Sequence, residues 1–203
     1  DFYTNYTIDD GILNKYKEFT NLIYIGGTDR RRGLETAIKS LSILKNRGKS
    51  IHFLIIGSSK YDFMLKKLVK QLNLQDLVHF EGWQPPVKFQ SYILASNIGI
   101  CPIHKNLHHD TTYANKVFQY LSFGLPVISS NCKAHESIIN EYNCGLIFEQ
   151  KDAEDLSDRI ETLIEDKIEN AQHQLQLYID AYKTGSSNDT EDTSPTFKSF
   201  DEG

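Results

Sequence analysis

Three consecutive arginines occupy a glycine-bounded loop near the start of the chain. The loop reads Gly26-Gly-Thr-Asp-Arg-Arg-Arg-Gly33 and joins a short apolar run to a segment with helical spacing. Glycines, guanidinium groups and the free amides that open a helix together form a natural anion site. The alternative is a solvated basic turn, since the loop is neither a GxGxxG fingerprint nor a P-loop. We predict phosphate binding here. The residues of this predicted site are Gly26, Gly27, Arg30, Arg31 and Arg32.

A second segment combines a loop, a helix, a glycine stop and a strand. Residues 111–130 read Thr-Thr-Tyr-Ala-Asn-Lys-Val-Phe-Gln-Tyr-Leu-Ser-Phe-Gly-Leu-Pro-Val-Ile-Ser-Ser. Free amides at the start of the helix can bind a pyrophosphate, and Lys116 adds a positive charge there. Gln119 lies one turn further on, where its amide can bond a ribose hydroxyl. The start of this helix is formed by Thr112, Tyr113, Ala114 and Asn115.

The loop before this segment is rich in histidine. His104, His108, His109 and Asp110 could suggest a metal site, but they lie in one loop and no second cluster completes a coordination shell. We therefore favour surface or substrate-contacting histidines and predict no metal. His109 or Asp110 is placed to contact whatever ligand the following segment binds.

The elements that carry these residues alternate along the chain. Short apolar runs predict six strands, and helical spacing predicts five connecting helices. The predicted strands are 22–25, 51–56, 78–80, 98–101, 126–129 and 145–148, and the predicted helices are 33–45, 63–72, 87–95, 115–123 and 135–142. This alternation indicates an α/β protein with a Rossmann-like, three-layer α/β/α fold and a six-stranded parallel sheet.

Ligands of such sheets bind beyond the carboxyl ends of the strands. Gly57 follows the second predicted strand, and Trp83 follows the third after Gly82. Glycine at a strand end lets a ligand approach the backbone closely. We therefore include Gly57 and Trp83 among the candidate binding residues.

Composition limits the other possibilities. The 22 basic and 27 acidic residues give a net charge of −5, so no basic field points to a nucleic-acid partner. The odd cysteine count, three without a CxxC pair, argues against disulfides and structural zinc. Buried thiols suit a reducing compartment, and no apolar run approaches the length of a membrane span. We expect a cytoplasmic protein, with the inner face of the membrane as an alternative location.

The chain divides into three predicted parts. Residues 1–20 lack a clear period and are interpreted as a linker, and residues 21–183 form the predicted domain. Its last helices are predicted at 152–166 and 168–182. Residues 184–203 are acidic and rich in Ser, Thr, Asp and Gly, so we expect a disordered tail.

The segment 111–130 resembles the signature of retaining glycosyltransferases of family 4, also called glycosyl transferases group 1. That pattern runs Glu, seven residues, Glu-Ala-Met, a few small residues and Gly-x-Pro-Val-Ile. Further similarities cover residues 22–166 in order, including Arg32-Gly33 at a Lys-Gly position and Ile55-Ile-Gly57 at the second strand. The resemblance implies the C-terminal, nucleotide-sugar-binding half of a two-domain GT-B fold.

The resemblance also implies roles for individual residues. Arg32 would pair with the donor diphosphate, and Gln119 would meet the ribose. Thr111 would face the sugar, and the backbone at Trp83 would lie near the base. Arg31, Arg32 and Lys116 would stabilise the negative charge that develops on the leaving phosphate. No metal or other cofactor is implied, because the nucleoside diphosphate sugar is the substrate.

The implied reaction moves a sugar from that donor to a glycan or lipid-linked acceptor, with retention at the anomeric carbon. An N-terminal domain of the same protein would bind the acceptor and make any peripheral membrane contact. The chain alone would then bind a nucleotide weakly and transfer nothing. Bacterial polysaccharide synthesis is the setting suggested by analogy.

Three positions depart from the family pattern. Thr111 and Gln119 replace the two signature glutamates, and Gly27 stands where the family usually has its first arginine. Arg30 or Arg31 could reach the same phosphate, whereas Thr111 supplies no charge. A non-catalytic nucleotide-sugar-binding or scaffold domain is therefore the alternative function. A sugar epimerase of the same architecture is disfavoured because no acid/base pair is identifiable.

Overall fold

The computed structural model describes residues 7–165 as an α/β domain around one parallel sheet. The strands are β1 Thr20–Ile25, β2 Ile51–Ile56, β3 Val78–Gly82, β4 Ile98–Cys101, β5 Val127–Ser130 and β6 Gly145–Phe148. The helices are α1 Asp10–Tyr16, α2 Leu34–Asn46, α3 Asp62–Gln71, α4 Phe89–Leu94, α5 Leu107–Thr111, α6 Asn115–Leu121, α7 Lys133–Tyr142 and α8 Ala153–Glu165. Two 3-10 turns cover Arg30–Arg32 and Pro86–Lys88. The helix predicted at 168–182 and the acidic tail lie outside the described residues.

The strand order is β3-β2-β1-β4-β5-β6, and every pairing is parallel. The chain builds β1, β2 and β3 in one direction and then crosses back to place β4 on the other side of β1. The order therefore reverses between β1 and β4, which is where α/β sheets bind ligands. The predicted three-layer architecture with six parallel strands is confirmed.

Helices cover both faces of the sheet. On one face Leu22 and Tyr24 of β1 pack in a core with residues of α2, α3 and α8. On the other face Ile23 and Ile25 of the same strand pack with residues of α1, α4, α6 and α7. Alternate residues of a strand point to opposite faces, so burial on both faces requires the uninterrupted apolar runs seen in the sequence.

Two short helices were not predicted from the sequence. Helix α1 lies within the presumed linker, and the Asp9 carboxylate begins it by accepting from the amides of Gly11 (3.0 Å) and Ile12 (3.3 Å). Helix α5 lies in the histidine-rich loop and begins at Asn106, whose side chain accepts from the His109 amide at 2.8 Å. In α1 and α5 the few residues show no clear hydrophobic period, so the capping residues Asp9 and Asn106 were the available signal.

Tyr120 anchors α6 to the centre of the sheet. Its buried hydroxyl accepts a hydrogen bond from the Ile25 amide at the end of β1, at 2.9 Å. The ring lies against Gly99 of β4, where an added Cβ would come within 2.3 Å of the Tyr120 Cδ2 atom. Lys116 precedes Tyr120 by four residues and so lies on the same, inward face of the helix. The tyrosine thus fixes the position of the lysine relative to β1 and β4.

We expect Tyr120→Phe to lower the free energy of unfolding by about 1–3 kcal/mol, because the buried Ile25 amide loses its acceptor while the ring packing is kept. Tyr113→Phe is the matched control: Tyr113 is 41% exposed. Loss of the Tyr113 hydroxyl should lower the free energy of unfolding by less than about 0.5 kcal/mol. Urea unfolding of both variants measures the difference, and equal effects would contradict the anchoring role.

Candidate functional site

The loop after β1 begins with a close approach between two strand ends. Gly57, at the end of β2, has φ 128°, and an added Cβ would lie 2.1 Å from the carbonyl oxygen of Gly26. The amide of Gly26 in turn donates to the Ile56 carbonyl at 2.9 Å. Packing of the two loops accounts for the glycine at position 57 without a ligand. A donor contact by Gly57 stays a prediction.

The three arginines form a 3-10 turn and diverge. Successive residues of such a turn are about 120° apart, so the three side chains leave the turn in different directions. Arg30 and Arg31 are exposed, whereas Arg32 is half-buried. The Nε atom of Arg32 is buried and has no hydrogen-bond partner among residues 7–165. Arg32 is therefore the inward-facing member of the run, with donor capacity available to a ligand.

Gly33 fixes the direction in which Arg32 faces. It has φ 73°, and an added Cβ would come within 1.7 Å of the Pro102 carbonyl oxygen, just after β4. The carbonyl of Arg31 accepts from the His104 amide at 2.9 Å, which ties the same two segments together. The turn Arg30–Arg32 is thus held against the segment after β4, which lies on the other side of the switch point from β2.

Lys116 meets this turn from α6. Its side chain is buried (8% exposed), and its Nζ lies 5.0 Å from the centroid of the Tyr24 ring. A Cβ on Gly26 would lie 3.5 Å from Nζ, so the ammonium group is next to the glycines after β1. Burial lowers the pKa of Lys116, and the charge of Arg32 lowers it further. No carboxylate of the described part of the chain forms an ion pair with either residue.

Other predicted residues surround a small cavity above this pair. The cavity has a volume of about 80 Å³ and is lined by Arg32, Ile103, His108, His109, Thr112, Tyr113 and Ala114. Arg32 is the cationic group of its wall, and the rest of the lining comes from the segment 103–114. The structure therefore brings together the β1 loop and the start of the 111–130 segment, as the sequence predicts.

His109 is held in a defined state beside this cavity. Its Nδ1 lies 2.6 Å from the carbonyl oxygen of His104, so Nδ1 carries the proton and donates to that oxygen. Burial lowers the pKa of His109, and the charges of Arg32, His108 and Arg31 also lower it, against the opposing effect of the His104 carbonyl. The surroundings therefore favour the neutral imidazole.

The remaining predicted residues lie further apart. The hydroxyl of Thr111 donates to the carbonyls of Leu107 (3.0 Å) and His108 (3.2 Å) and is thus committed to its own helix. Gln119 is half-buried on α6, Asn115 is exposed at its start, and Trp83 is 73% exposed after β3. Strands β3 and β1 are about 10 Å apart, since neighbouring strands are spaced by about 4.8 Å. Trp83 and Arg32 could therefore contact only an extended ligand together.

Sequence reasoning missed His135. It is fully buried in α7, where its Nε2 accepts from the Ala114 amide at 3.1 Å and its Nδ1 lies 2.7 Å from the Ser129 hydroxyl. Burial lowers its pKa to about 4, with smaller effects of Lys116 and His109 in the same direction. No motif marks this residue, because its partner on the site is 21 positions away along the chain.

The sequence model of one family, described as glycosyl transferases group 1, matches residues 6–182. The chain belongs to this family. Among curated glycosyltransferases, the putative colanic acid biosynthesis glycosyltransferase WcaL of Escherichia coli K12 is 21% identical over 140 residues, which is 68% of this chain and 34% of WcaL. The chain thus spans about a third of the length of this relative.

Solved glycosyltransferases share the fold of the domain. The C-terminal domain of a group 1 protein, LpcC from Francisella tularensis, superposes with a TM-score of 0.68 at 20% identity, covering 92% of this chain and 97% of that domain. Anabaena HepE in complex with UDP gives a TM-score of 0.70 at 15% identity, covering 92% of this chain and 54% of HepE. At these identities the likeness establishes the Rossmann-like α/β fold.

Two negative observations concern the described residues of this glycosyltransferase domain. Residues 7–165 contain no group of three His, Cys, Asp or Glu side chains that could hold a metal ion. Within the same range, none of the helices has the length and apolar character needed to cross a membrane.

We expect Gly33→Ala to destabilise the domain by about 3 kcal/mol or more, because its Cβ would overlap the Pro102 carbonyl as well as strain the backbone. Gly48→Ala is the matched control, since Gly48 has φ 79° and nothing within 4 Å of an added Cβ. Gly48→Ala should lower the free energy of unfolding by about 1 kcal/mol, because alanine is strained at a positive φ. Thermal and urea unfolding measure both, and similar losses would contradict the clamp between the β1 and β4 loops.

The pKa of His135 predicts a pH dependence of stability. The unfolded chain takes up a proton near the ordinary value of 6.5, whereas the folded chain does so only near about 4. More protons are therefore bound in the unfolded state between these values, so stability falls as the pH decreases through this window. Between about pH 7 and about pH 5 the loss from this residue should be about 2 kcal/mol.

His135→Gln tests this expectation, since glutamine does not titrate. Urea unfolding at the two pH values should show a smaller loss in the variant than in the unaltered chain, by about 2 kcal/mol. Other histidines contribute equally to both proteins and cancel. An identical pH dependence of the two would refute the assignment.

Proposed function

We propose that this chain is the donor-binding domain of a retaining glycosyltransferase. In the whole protein it would move a sugar, of the hexosyl type, from a nucleoside diphosphate sugar to a glycan or lipid-linked acceptor. The observation that carries the proposal is the pairing of Arg32 and Lys116. Arg32 lies in the loop after β1, Lys116 Nζ lies next to Gly26 of the same loop, and the charge of Arg32 lowers the pKa of Lys116. Neither side chain has a carboxylate partner in residues 7–165.

The chemistry of that pair suits a diphosphate. Burying a cation without a counter-ion is costly, so such a site is favoured where a ligand supplies the missing negative charge. Nε of Arg32 lacks a hydrogen-bond partner among residues 7–165, and the half-buried guanidinium group would donate to a phosphate oxygen. When the glycosidic bond to the donor phosphate breaks, Arg32 and Lys116 would stabilise the charge that accumulates on the departing diphosphate. This is an electrostatic role and needs no covalent nucleophile on the protein.

The comparisons support the same class of ligand. The family is one of glycosyltransferases, and the similar fold of HepE was determined with UDP. We propose that the nucleotide lies along the carboxyl ends of β1 to β3, with the diphosphate over Arg32 and Lys116. Gln119 would bond a ribose hydroxyl, and the sugar would occupy the cavity beside His109, Thr112 and Tyr113. Arg31 is exposed and would reach the diphosphate from its outer side.

An acceptor-binding domain is proposed to lie in the remainder of the whole protein. The chain covers 97% of a solved C-terminal domain and 54% of HepE, a proportion that suits half of a two-domain enzyme. The donor domain is proposed to end at residue 183, and α1, which packs in its core, extends it ahead of the start predicted at residue 21. Because the acceptor half would be needed for turnover, this chain alone should bind the nucleotide without transferring sugar.

One observation favours a second function, a nucleotide-sugar-binding domain without catalysis. The hydroxyl hydrogen of Thr111 is shared between the carbonyls of Leu107 and His108, so position 111 offers the sugar no charge and no uncommitted donor. The carboxylate of the preceding residue, Asp110, accepts from the Lys133 amide at 3.1 Å. The two functions share the donor site and differ in turnover.

Titration calorimetry and a transfer assay distinguish these functions. The chain should bind UDP or GDP with release of measurable heat, and the corresponding nucleotide sugars should compete for the same site. The full-length protein should release nucleoside diphosphate from its nucleotide sugar in the presence of acceptor. Binding without turnover by the full-length protein would favour the non-catalytic domain, and the absence of binding to every nucleotide tested would refute both.

We expect Lys116→Met to separate stability from binding. The substitution removes a buried, unpaired ammonium group while keeping a long apolar side chain, so the free energy of unfolding should rise by about 1–2 kcal/mol. Nucleotide binding should fall at least about tenfold, since a charge-assisted contact to phosphate is lost. Lys67→Met is the control, because Lys67 is exposed on α3 and should leave both quantities unchanged. A less stable Lys116→Met variant would contradict this account of the buried charge.

A further inference from the structure

A buried hydrogen-bond chain runs from the donor-site loop into the sheet. The Ala114 amide donates to Nε2 of His135 at 3.1 Å. Nδ1 of the same ring lies 2.7 Å from the Ser129 hydroxyl, which donates to the Cys101 carbonyl at 3.2 Å. The chain thus links the segment before α6 to β5 and β4 through a single imidazole.

The partners dictate the tautomer of His135. A backbone amide can only donate, so Nε2 must carry a lone pair. In a neutral imidazole the proton then resides on Nδ1, which donates to the Ser129 oxygen. A protonated ring would direct an N–H at the N–H of Ala114 and break the link.

The charges around the ring also require the neutral form. Lys116 of α6 and His109 of α5 both disfavour protonation of His135, and burial disfavours it most. The sheet contributes the Ser129 hydroxyl, which lies 3.2 Å from both the Cys101 and the Ser130 carbonyl oxygens. A second cation here would add to the unpaired charge of Lys116, so a neutral acceptor is the group that suits this position.

The segment held by this link forms part of the predicted donor site. Thr112, Tyr113 and Ala114 line the cavity beside Arg32, and Lys116 follows two residues later. Thr112 and Tyr113 are exposed, so the hydrogen bond at Ala114 is the buried attachment next to them. Loss of this link would leave the wall of the cavity free to move relative to Arg32.

We propose that His135 is a positioning residue for donor binding, which holds the wall formed by residues 112–114 at a fixed distance from Arg32 through its link to Ser129. The inference rests on the proposed donor site. His135 itself does not touch the donor. It acts by keeping the Ala114 backbone in place, and it does so only as the neutral tautomer protonated on Nδ1.

The test compares two substitutions of His135 in the full 203-residue chain. His135→Phe keeps an aromatic ring of similar volume but accepts no hydrogen bond. His135→Gln offers a carbonyl oxygen to Ala114 and an amide hydrogen to Ser129. The probes are UDP and GDP, titrated separately, together with hydrogen exchange of the Ala114 amide measured without nucleotide.

We expect His135→Phe to weaken the binding of UDP or GDP about tenfold and to accelerate exchange of the Ala114 amide at least about tenfold. His135→Gln should restore both to within about threefold of the unaltered chain. Nitrogen NMR shifts of His135 should show the Nδ1-protonated tautomer. His52→Phe is the matched control, since His52 is buried on β2 and bonds His79 outside this site at 2.9 Å. It should leave nucleotide affinity unchanged.

The outcomes separate this inference from the proposed function. If the Ala114 amide exchanges at the same rate in His135→Phe as in the unaltered chain, and nucleotide affinity is also the same, the positioning role is wrong. If the unaltered chain binds neither nucleotide, the proposed donor site is wrong. Accelerated exchange in His135→Phe would then show that His135 holds Ala114 for structural reasons alone, which overturns its role in donor binding.

If His135→Phe fails to fold, Ser129→Ala replaces it. That substitution frees Nδ1 and should accelerate Ala114 exchange, and unchanged exchange would refute the link.

Discussion

The arrangement of this domain depends on keeping one ammonium group buried beside a guanidinium group without a carboxylate to neutralise them. Lys116 is 8% exposed, and Arg32 contributes to the lowering of its pKa. Such a pair is unfavourable in isolation, and the surrounding residues hold it together by geometry rather than by attraction. Tyr120 fixes the helix that carries the lysine, and the contact of Gly33 with Pro102 fixes the turn that carries the arginine. The face of the Tyr24 ring, with its centroid 5.0 Å from Nζ, gives the Lys116 side chain a favourable contact.

The same constraint explains the state of the nearby histidines. His109 and His135 are both buried, and for both rings neighbouring cations lower the pKa beyond the effect of burial. Each is held as a neutral ring with the proton on Nδ1, because His109 donates to a carbonyl and His135 accepts from an amide. The lowered pKa values of both rings favour their neutral forms, so Arg32 and Lys116 supply the positive charge beside them. A ligand with two or three negative charges in a small volume is complementary to that distribution, whereas a neutral sugar alone would leave both cations uncompensated.

The parts of the fold that follow from repeating patterns could be predicted from the sequence. Strands buried on both faces must be apolar along their length, as in Ile51–Ile56, and the long helices show their buried face by spacing. The loop of arginines and the segment 111–130 could also be located, because the carboxyl ends of parallel strands converge at one edge. What could not be predicted depends on contacts between distant residues. The glycine at position 57 suggested that a ligand approaches the backbone, whereas the structure shows that the Gly26 carbonyl lies where a Cβ would be. His135 belongs to no sequence motif, although its side chain accepts from the Ala114 amide.

Residues of the site and residues of the scaffold differ in how their backbone is held. The helix pair α2 and α8 has 13 residues in each member, so internal hydrogen bonds and broad apolar faces define both. The site, by contrast, is carried by a 3-10 turn of three residues, by α5 with five and by α6 with seven. Elements this short have little stability of their own. Their positions are instead set by single side-chain and backbone contacts at Gly33, Asn106, Tyr120 and His135. Substitutions in the scaffold should therefore be absorbed by many contacts, whereas each of these four residues controls the placement of one part of the site.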